Sequence, residues 1–570
     1  MSVRRWISAL AGLAALTAAV EAMAAPKEPP KLVVVISVDQ FSGNLYAQYR
    51  SRFSKGLRTL SDQGLVYANG WQSHANTETC PGHSTILTGK HPNKTGIPAN
   101  DWLDPVTGKM VYCLSAPANT IAGGAGGNPV GPDNMRATTL GDWMKSGGAR
   151  GRVFGISGKD RGAITMAGHQ ADGVFWYREG FGFTTYVKPG EDGEAKLEPV
   201  RGINAQLKAR FAANPPSWTY EQDTCRALER DYQVGSLVFR ARVPPAKFVF
   251  DTSPLLDDVT VDGALYLLAE QKLGQGPGVD ILTVSLSATD RIGHSFGTQG
   301  PETCEQMYRL DVNIGRLLDA VTKVPGGAIV VLTADHGGSD FPERSAERGY
   351  PQAKRADPGV LDRLNASLKA QFKLTEDPAA FDGWGLFIVG KDKVRLPQPL
   401  RGKVAAAAVA FLKKEPDVAD AFTTEELLKT PPPRPGTPPE EYSLRERAAL
   451  SAVEGRSTDV SLILQPGIAP LRAPSPGGAM STHGSTWDYD RRVPILFWWP
   501  GSEGQERFFS IETTDIAPTL AHLIGVTPPT DIDGRCLDLG GFAVAACPKP
   551  AVGVAPVEAK KSGFRWPWEK

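Results

Sequence analysis

Five short runs rich in Val, Ile, Leu and Phe constrain this chain more than any other feature: LVVVISV (32–38), RVFGIS (152–157), ILTVSLS (281–287), AIVVLT (328–333) and VPILFWW (493–499). They are too short to cross a membrane and too continuously apolar to lie half-exposed, so they read as strands buried on both faces. Between them lie segments with helical apolar spacing, among them EQMYRLDVNIGRLLDAVTK (305–323) and TTDIAPTLAHLIG (513–525). The alternation predicts an α/β fold: a mostly parallel central sheet with helices on both faces. Ligands of such sheets bind beyond the carboxyl ends of the strands. Polar residues cluster there. Asp39 ends the first run, Lys159 and Arg161 follow the second, Asp290 the third, and Asp335 and His336 the fourth.

The N-terminus, MSVRRWISALAGLAALTAAVEAMA, pairs two arginines with an apolar run and an A-x-A site, which predicts a signal peptide over 1–24 and export to the periplasm. One domain is expected over 25–547, with a cap-type insertion around 165–275, where the chain turns aromatic and irregular. TPPPRPGTPPE (430–440) reads as a proline-rich surface connector, and 548–570 as a flexible tail. No stable membrane span is expected. The 62 basic and 62 acidic residues are dispersed, which excludes electrostatic capture of nucleic acid or of an anionic membrane. Oligomeric state is not legible. Six cysteines in an exported chain make disulfides available. The sequence does not choose among their pairings, and the local pairs Cys80–Cys113 and Cys536–Cys547 stand as conjecture.

Of eight histidines, three sit in short acidic or glycine-rich contexts: TDRIGHSFG (Asp290, His294), TADHGG (Asp335, His336) and STHGST (His483). With Asp39 they make three imidazoles and three carboxylates, a donor set that suits Zn²⁺ better than Mg²⁺ or Ca²⁺. Each piece alone is ordinary turn or helix-surface chemistry; their convergence on strand ends of one sheet carries the argument. The stretch NTETCPGHSTILTG (76–89) offers Thr77, Thr79, Cys80 and Ser84 as nucleophiles. Pro81 suits the first position of a helix and Gly89 its end, which places Thr79 just before a helix N-terminus, where free N–H groups favour a phosphate. Thr77 and Ser84 lack that placement. His83, His74, His91, His169 and His522 read as structural.

VISVDQF, TCPGHSTILTGKHP, AND, SGKDR, TDRIGHSFG, TADHGG and STHGS, in this order over roughly residues 31–540, resemble the alkaline phosphatase superfamily, and in it the branch of threonine-nucleophile, phosphate-irrepressible periplasmic alkaline phosphatases. The resemblance implies two Zn²⁺ about 4 Å apart, one held by Asp290, His294 and His483, the other by Asp39, Asp335 and His336. It makes Thr79 the nucleophile and a bridge to the second zinc, and Asn100, Lys159 and Arg161 the donors to the remaining phosphate oxygens. The substrates implied are small phosphate monoesters, with some diester turnover, through a phosphothreonine intermediate. The Lys-x-Arg pair is expected to stand where better-known bacterial alkaline phosphatases carry a third, magnesium-type ion. A nucleotide pyrophosphatase or phosphodiesterase of the same superfamily is the alternative, and a non-catalytic periplasmic metal- or phosphate-binding protein is a third reading. A sulfatase is disfavoured because Cys80 lacks the C-x-P-x-R context, and GISGKD lacks the spacing of an ATP-binding phosphate loop.

Overall fold

The computed structural model describes residues 27–474 and 478–548; the signal peptide and nearly all of the C-terminal tail lie outside them. Ten strands form the central sheet: β1 (Leu32–Val38), β2 (Leu65–Trp71), β3 (Val153–Ser157), β4 (Gly173–Arg178), β5 (Gly182–Thr184), β6 (Asp280–Leu286), β7 (Ala328–Thr333), β8 (Arg492–Trp498), β9 (Gln505–Arg507) and β10 (Ile511–Glu512). Their order is β9-β2-β8-β7-β1-β6-β3-β4-β5, with β10 beside β2. The heart of the sheet is parallel: β1 pairs with both β6 and β7, and β3 with β6 and β4. β8 runs against its neighbours, as does β5 at the far edge. Every residue of β1, β6 and β7 is buried, which is why these strands carry no polar face.

Register fixes the site. Val38 lies beside Leu286, Ser37 beside Thr333, and Ser285 beside Ser157. The residues that follow these positions therefore emerge at one edge of the sheet. Five helices serve that edge or the core beneath it: α1 (Thr79–Ile86), α2 (Asp160–Ala167), α3 (Leu255–Glu270), α4 (Ala288–Phe296) and α5 (Pro301–Val321).

The span 165–275 is not a single cap. Its first strands, β4 and β5, extend the central sheet, because Phe175, Trp176 and Phe183 bury themselves in the main core, and α3 packs against the same sheet. A second body lies elsewhere. Strands 379–382, 385–388, 418–423 and 460–464 form a four-stranded antiparallel sheet with its own apolar core, joined by helices Val360–Phe372 and Leu400–Leu412. Disulfides join Cys80 to Cys113, Cys225 to Cys304 and Cys536 to Cys547. No helix among the described residues is long and apolar enough to cross a membrane.

Candidate active site

Thr79 opens helix α1 as its first residue, with Glu78 preceding it in extended conformation. The helix thus starts two residues earlier than Pro81 suggests, because proline is tolerated throughout a first turn whose N–H groups have no partner within the helix. Gly89 adopts a left-handed φ of 64° two residues past the C-cap Leu87. Of the four candidate nucleophiles, three are spoken for. Thr77 donates to the Ser485 carbonyl at 2.7 Å, Ser84 donates to Pro81 O at 2.7 Å, and Cys80 is in a disulfide. Thr79 Oγ1 is buried and has no hydrogen-bond partner.

Helix α1 lies directly on the strand end that carries Asp335. A Cβ added to Gly82 would sit 2.0 Å from the Asp335 carbonyl oxygen, so only glycine permits this approach. The next residue, His83, lies with Nδ1 2.9 Å from Asp335 Oδ2 and 3.0 Å from Thr79 O, and with Nε2 2.9 Å from Ser285 Oγ. Sequence reasoning set His83 aside as structural, and its reach to Asp335 had no local signal. Gln40, also missed, takes a left-handed φ of 64° immediately after Asp39. Its backbone N–H donates to Asp335 Oδ1 at 3.1 Å and its Nε2 to Asp290 Oδ1 at 3.3 Å.

All six proposed metal ligands converge. Asp290 Oδ1 lies 3.3 Å from both His294 Nε2 and His483 Nε2, and those two nitrogens face each other at 3.1 Å. His336 Nε2 lies 3.4 Å from Asp39 Oδ1 and 3.3 Å from Asp335 Oδ2. The His336 and His483 rings stack with centroids 3.7 Å apart, so the two ligand sets adjoin. Each imidazole has its other nitrogen, Nδ1, within hydrogen-bond reach of a backbone carbonyl: His294 to Ser481 O at 2.9 Å, His336 to Gly337 O at 2.8 Å, His483 to Thr77 O at 2.8 Å. Those carbonyls can only accept, which puts the proton on Nδ1 and turns each Nε2 lone pair inward. Burial holds His336 down to about 3 and lowers His483, so both stay neutral and able to ligate. Burial also pulls on His294, but the Asp290 carboxylate outweighs it and leaves that ring raised. Asp39 Oδ1 and His336 Nε2 are buried without hydrogen-bond partners. An unsatisfied carboxylate oxygen and inward imidazole lone pairs fit a bound metal.

The second sheet supplies the support for His483. Trp384, at a hairpin tip of that sheet, donates from Nε1 to the His483 carbonyl at 3.1 Å and packs on Gly484, whose φ is 108°.

Lys159 reaches the centre of this cluster, Nζ 2.6 Å from Asp39 Oδ2 and 2.5 Å from Asp290 Oδ2. Its ammonium thus bridges one carboxylate from each ligand set. Arg161 is in the first turn of α2, with Nε buried and unpartnered. Despite burial its pKa is raised, by Tyr112, Asp160 and Asp39. Asn100 accepts from Cys80 N through Oδ1 at 2.8 Å, which orients its Nδ2 amide as the free donor.

Fold and site together are those of a hydrolase of the α/β class with candidate metal-binding residue groups. The chain belongs to the type I phosphodiesterase / nucleotide pyrophosphatase family, whose model matches residues 33–486. Within it the chain is a phosphatase of the alkaline phosphatase superfamily. It is 38% identical over 536 residues to alkaline phosphatase PhoD of Zymomonas mobilis subsp. mobilis, a match spanning 92% of this chain and 90% of that protein. Identity to alkaline phosphatase PhoK of a Sphingomonas species is also 38%, over 527 residues, covering 90% and 91% of the two chains. The crystal structure of alkaline phosphatase PafA matches with a TM-score of 0.75 at 26% identity, over 90% of this chain and 99% of that one.

Proposed function

We propose that this phosphatase is a zinc-dependent alkaline phosphatase that hydrolyses phosphate monoesters through a phosphothreonine on Thr79, with some activity on diesters. The observation that carries the reading is the state of Thr79 Oγ1, the one hydroxyl of the candidate loop left without a partner, beside converging Asp and His donors, five in the two candidate metal groups and His294 against Asp290. Two zinc ions, one on Asp290, His294 and His483 and one on Asp39, Asp335, His336 and Thr79, would supply the Lewis acidity that ionises a hydroxyl or a water at working pH and offsets charge on the leaving oxygen. Thr79 Oγ forms the new bond to phosphorus as the ester P–O bond breaks, and its proton passes to solvent. The departing oxygen takes a proton from water. A second water then breaks the Thr79 O–P bond, releasing phosphate and restoring the hydroxyl. Asn100 Nδ2, Lys159 and Arg161 bind and orient the non-bridging oxygens, and their two positive charges favour the monoester dianion over a diester monoanion. The three disulfides suit the exported, periplasmic location read from residues 1–24.

The test is hydrolysis of matched aryl phosphate monoester, aryl phosphate diester and aryl sulfate by the mature protein at alkaline pH, before and after chelation and Zn²⁺ readdition. Activity lost to chelator, restored by Zn²⁺ and highest on the monoester is expected; diester preference would move the protein to the phosphodiesterase reading. Thr79→Ala should keep its zinc and lose turnover by about 10³-fold or more. Metal analysis should find no stoichiometric Mg²⁺.

A further inference from the structure

Glu78 stands at the N-cap of the nucleophile helix and does not cap it. Glutamate is not among the residues that cap well, and its side chain makes no bond to the helix N–H groups. The carboxylate turns instead to the Asn100 backbone, where Oε2 accepts from Asn100 N at 2.7 Å. Two residues on, Cys80 N donates to Asn100 Oδ1 at 2.8 Å. The residues either side of Thr79 therefore grip the same asparagine, one by its backbone and one by its side chain. A third hold comes from Cys113, whose N–H donates to Asn100 O at 2.8 Å and whose sulfur is bonded to Cys80. Glu78 and Asn100 line a cavity of about 220 Å³ together with Asn76, Asp101, Trp102, Asp382 and Arg456. On the face toward that cavity, Asn100 is held by these hydrogen bonds.

We infer that Glu78 is a positioning residue, which fixes Asn100 relative to Thr79 so that the asparagine amide meets the transferred phosphoryl group. The inference rests on the donor role given to Asn100 above. It concerns a residue outside the candidate metal groups and outside the three proposed phosphate donors. Leaving the Asn100 N–H without its acceptor is worth roughly ten-fold or more in an equilibrium, and would let the amide drift from the reacting centre.

The experiment is a double-mutant cycle in the full mature protein, reading kcat/KM for an aryl phosphate monoester with zinc content measured alongside. Glu78→Ala should lower kcat/KM by about ten-fold or more with zinc unchanged. Glu78→Gln, which keeps an acceptor oxygen, should recover most of it. In an Asn100→Ala background, Glu78→Ala should cost less than about two-fold, since the group it positions is already gone. A loss that repeats in full in that background would overturn the inference, as would Glu78→Ala at wild-type kcat/KM while Asn100→Ala is impaired. Asn100→Ala at the wild-type rate would instead overturn the donor role and the inference together. Should Glu78→Ala fail to fold, Glu78→Gln against Glu78→Met makes the same comparison at near-native volume, and equal activity of those two would overturn the inference.

Discussion

At Lys159 a single ammonium answers two buried carboxylates, Asp39 at 2.6 Å and Asp290 at 2.5 Å, so removing it touches both ligand sets at once. The motif SGKDRG shows a basic pair after a strand, but not that the lysine would be drawn this far inward, because the pull comes from Asp39 just past β1 and Asp290 in α4, 120 and 131 residues away. The members of the cluster stand in short contexts that pointed to them, Asp39, Asp290, His294, Asp335, His336 and His483, and the structure brings these side chains together. Their supports were not legible in this way. Gln40 acts through a left-handed backbone, and His83 acts through contacts to residues 202 and 252 positions along the chain. For Lys159→Ala and Arg161→Ala we predict losses in monoester kcat/KM about ten-fold greater than in diester kcat/KM, because the dianion needs the charge more. Equal losses on the two esters would remove the charge argument.

At the scale of the element, α1 is a short helix whose eight residues are all buried, which leaves no amphipathic pattern for a sequence to display. Helix α1 was read from Pro81 and Gly89 alone; strand β2, LVYANGW, was unread, since Ala68, Asn69 and Gly70 interrupt its apolar run at a register shift against β8. The runs that were read, β1, β6 and β7, owe their legibility to burial on both faces. The contact at Gly82 gives a prediction of its own. Gly82→Ala must push α1 away from Asp335, so turnover should fall by about 100-fold or more while the circular dichroism spectrum stays native. Near-normal kcat would show that the helix can move without consequence.

Over the whole molecule, the chain is tied together by groups far apart in sequence. His91 lies between Glu512, 2.7 Å from Nε2, and Asp533, 3.2 Å from Nδ1, and Tyr442 donates to the same Glu512 at 2.8 Å. Burial pulls the ring down, yet the two carboxylates outweigh it and raise His91 from 6.5 to about 10. A histidine raised on folding contributes its stability in full below about pH 6.5 and loses it as the pH climbs through 10. Melting temperature should therefore fall between those values. In His91→Gln it should start lower, by ~3 kcal/mol of stability near pH 6, and fall less steeply. Parallel pH profiles for the two proteins would show that the ion cluster contributes nothing.

The second sheet escaped the sequence reading because its strands are only four to six residues long, and it reaches the site through Trp384, under the His483 loop. Thr79 is held differently. Between Thr79 and Asp335 no side chain intervenes at Gly82, so their spacing is gauged by main chain against main chain. A gauge of that kind cannot be retuned by small substitutions, whereas the loops and the second sheet around it can. Substitutions accumulating in such a chain would leave the spacing of Thr79 and Asp335 intact and act instead on what is admitted to it.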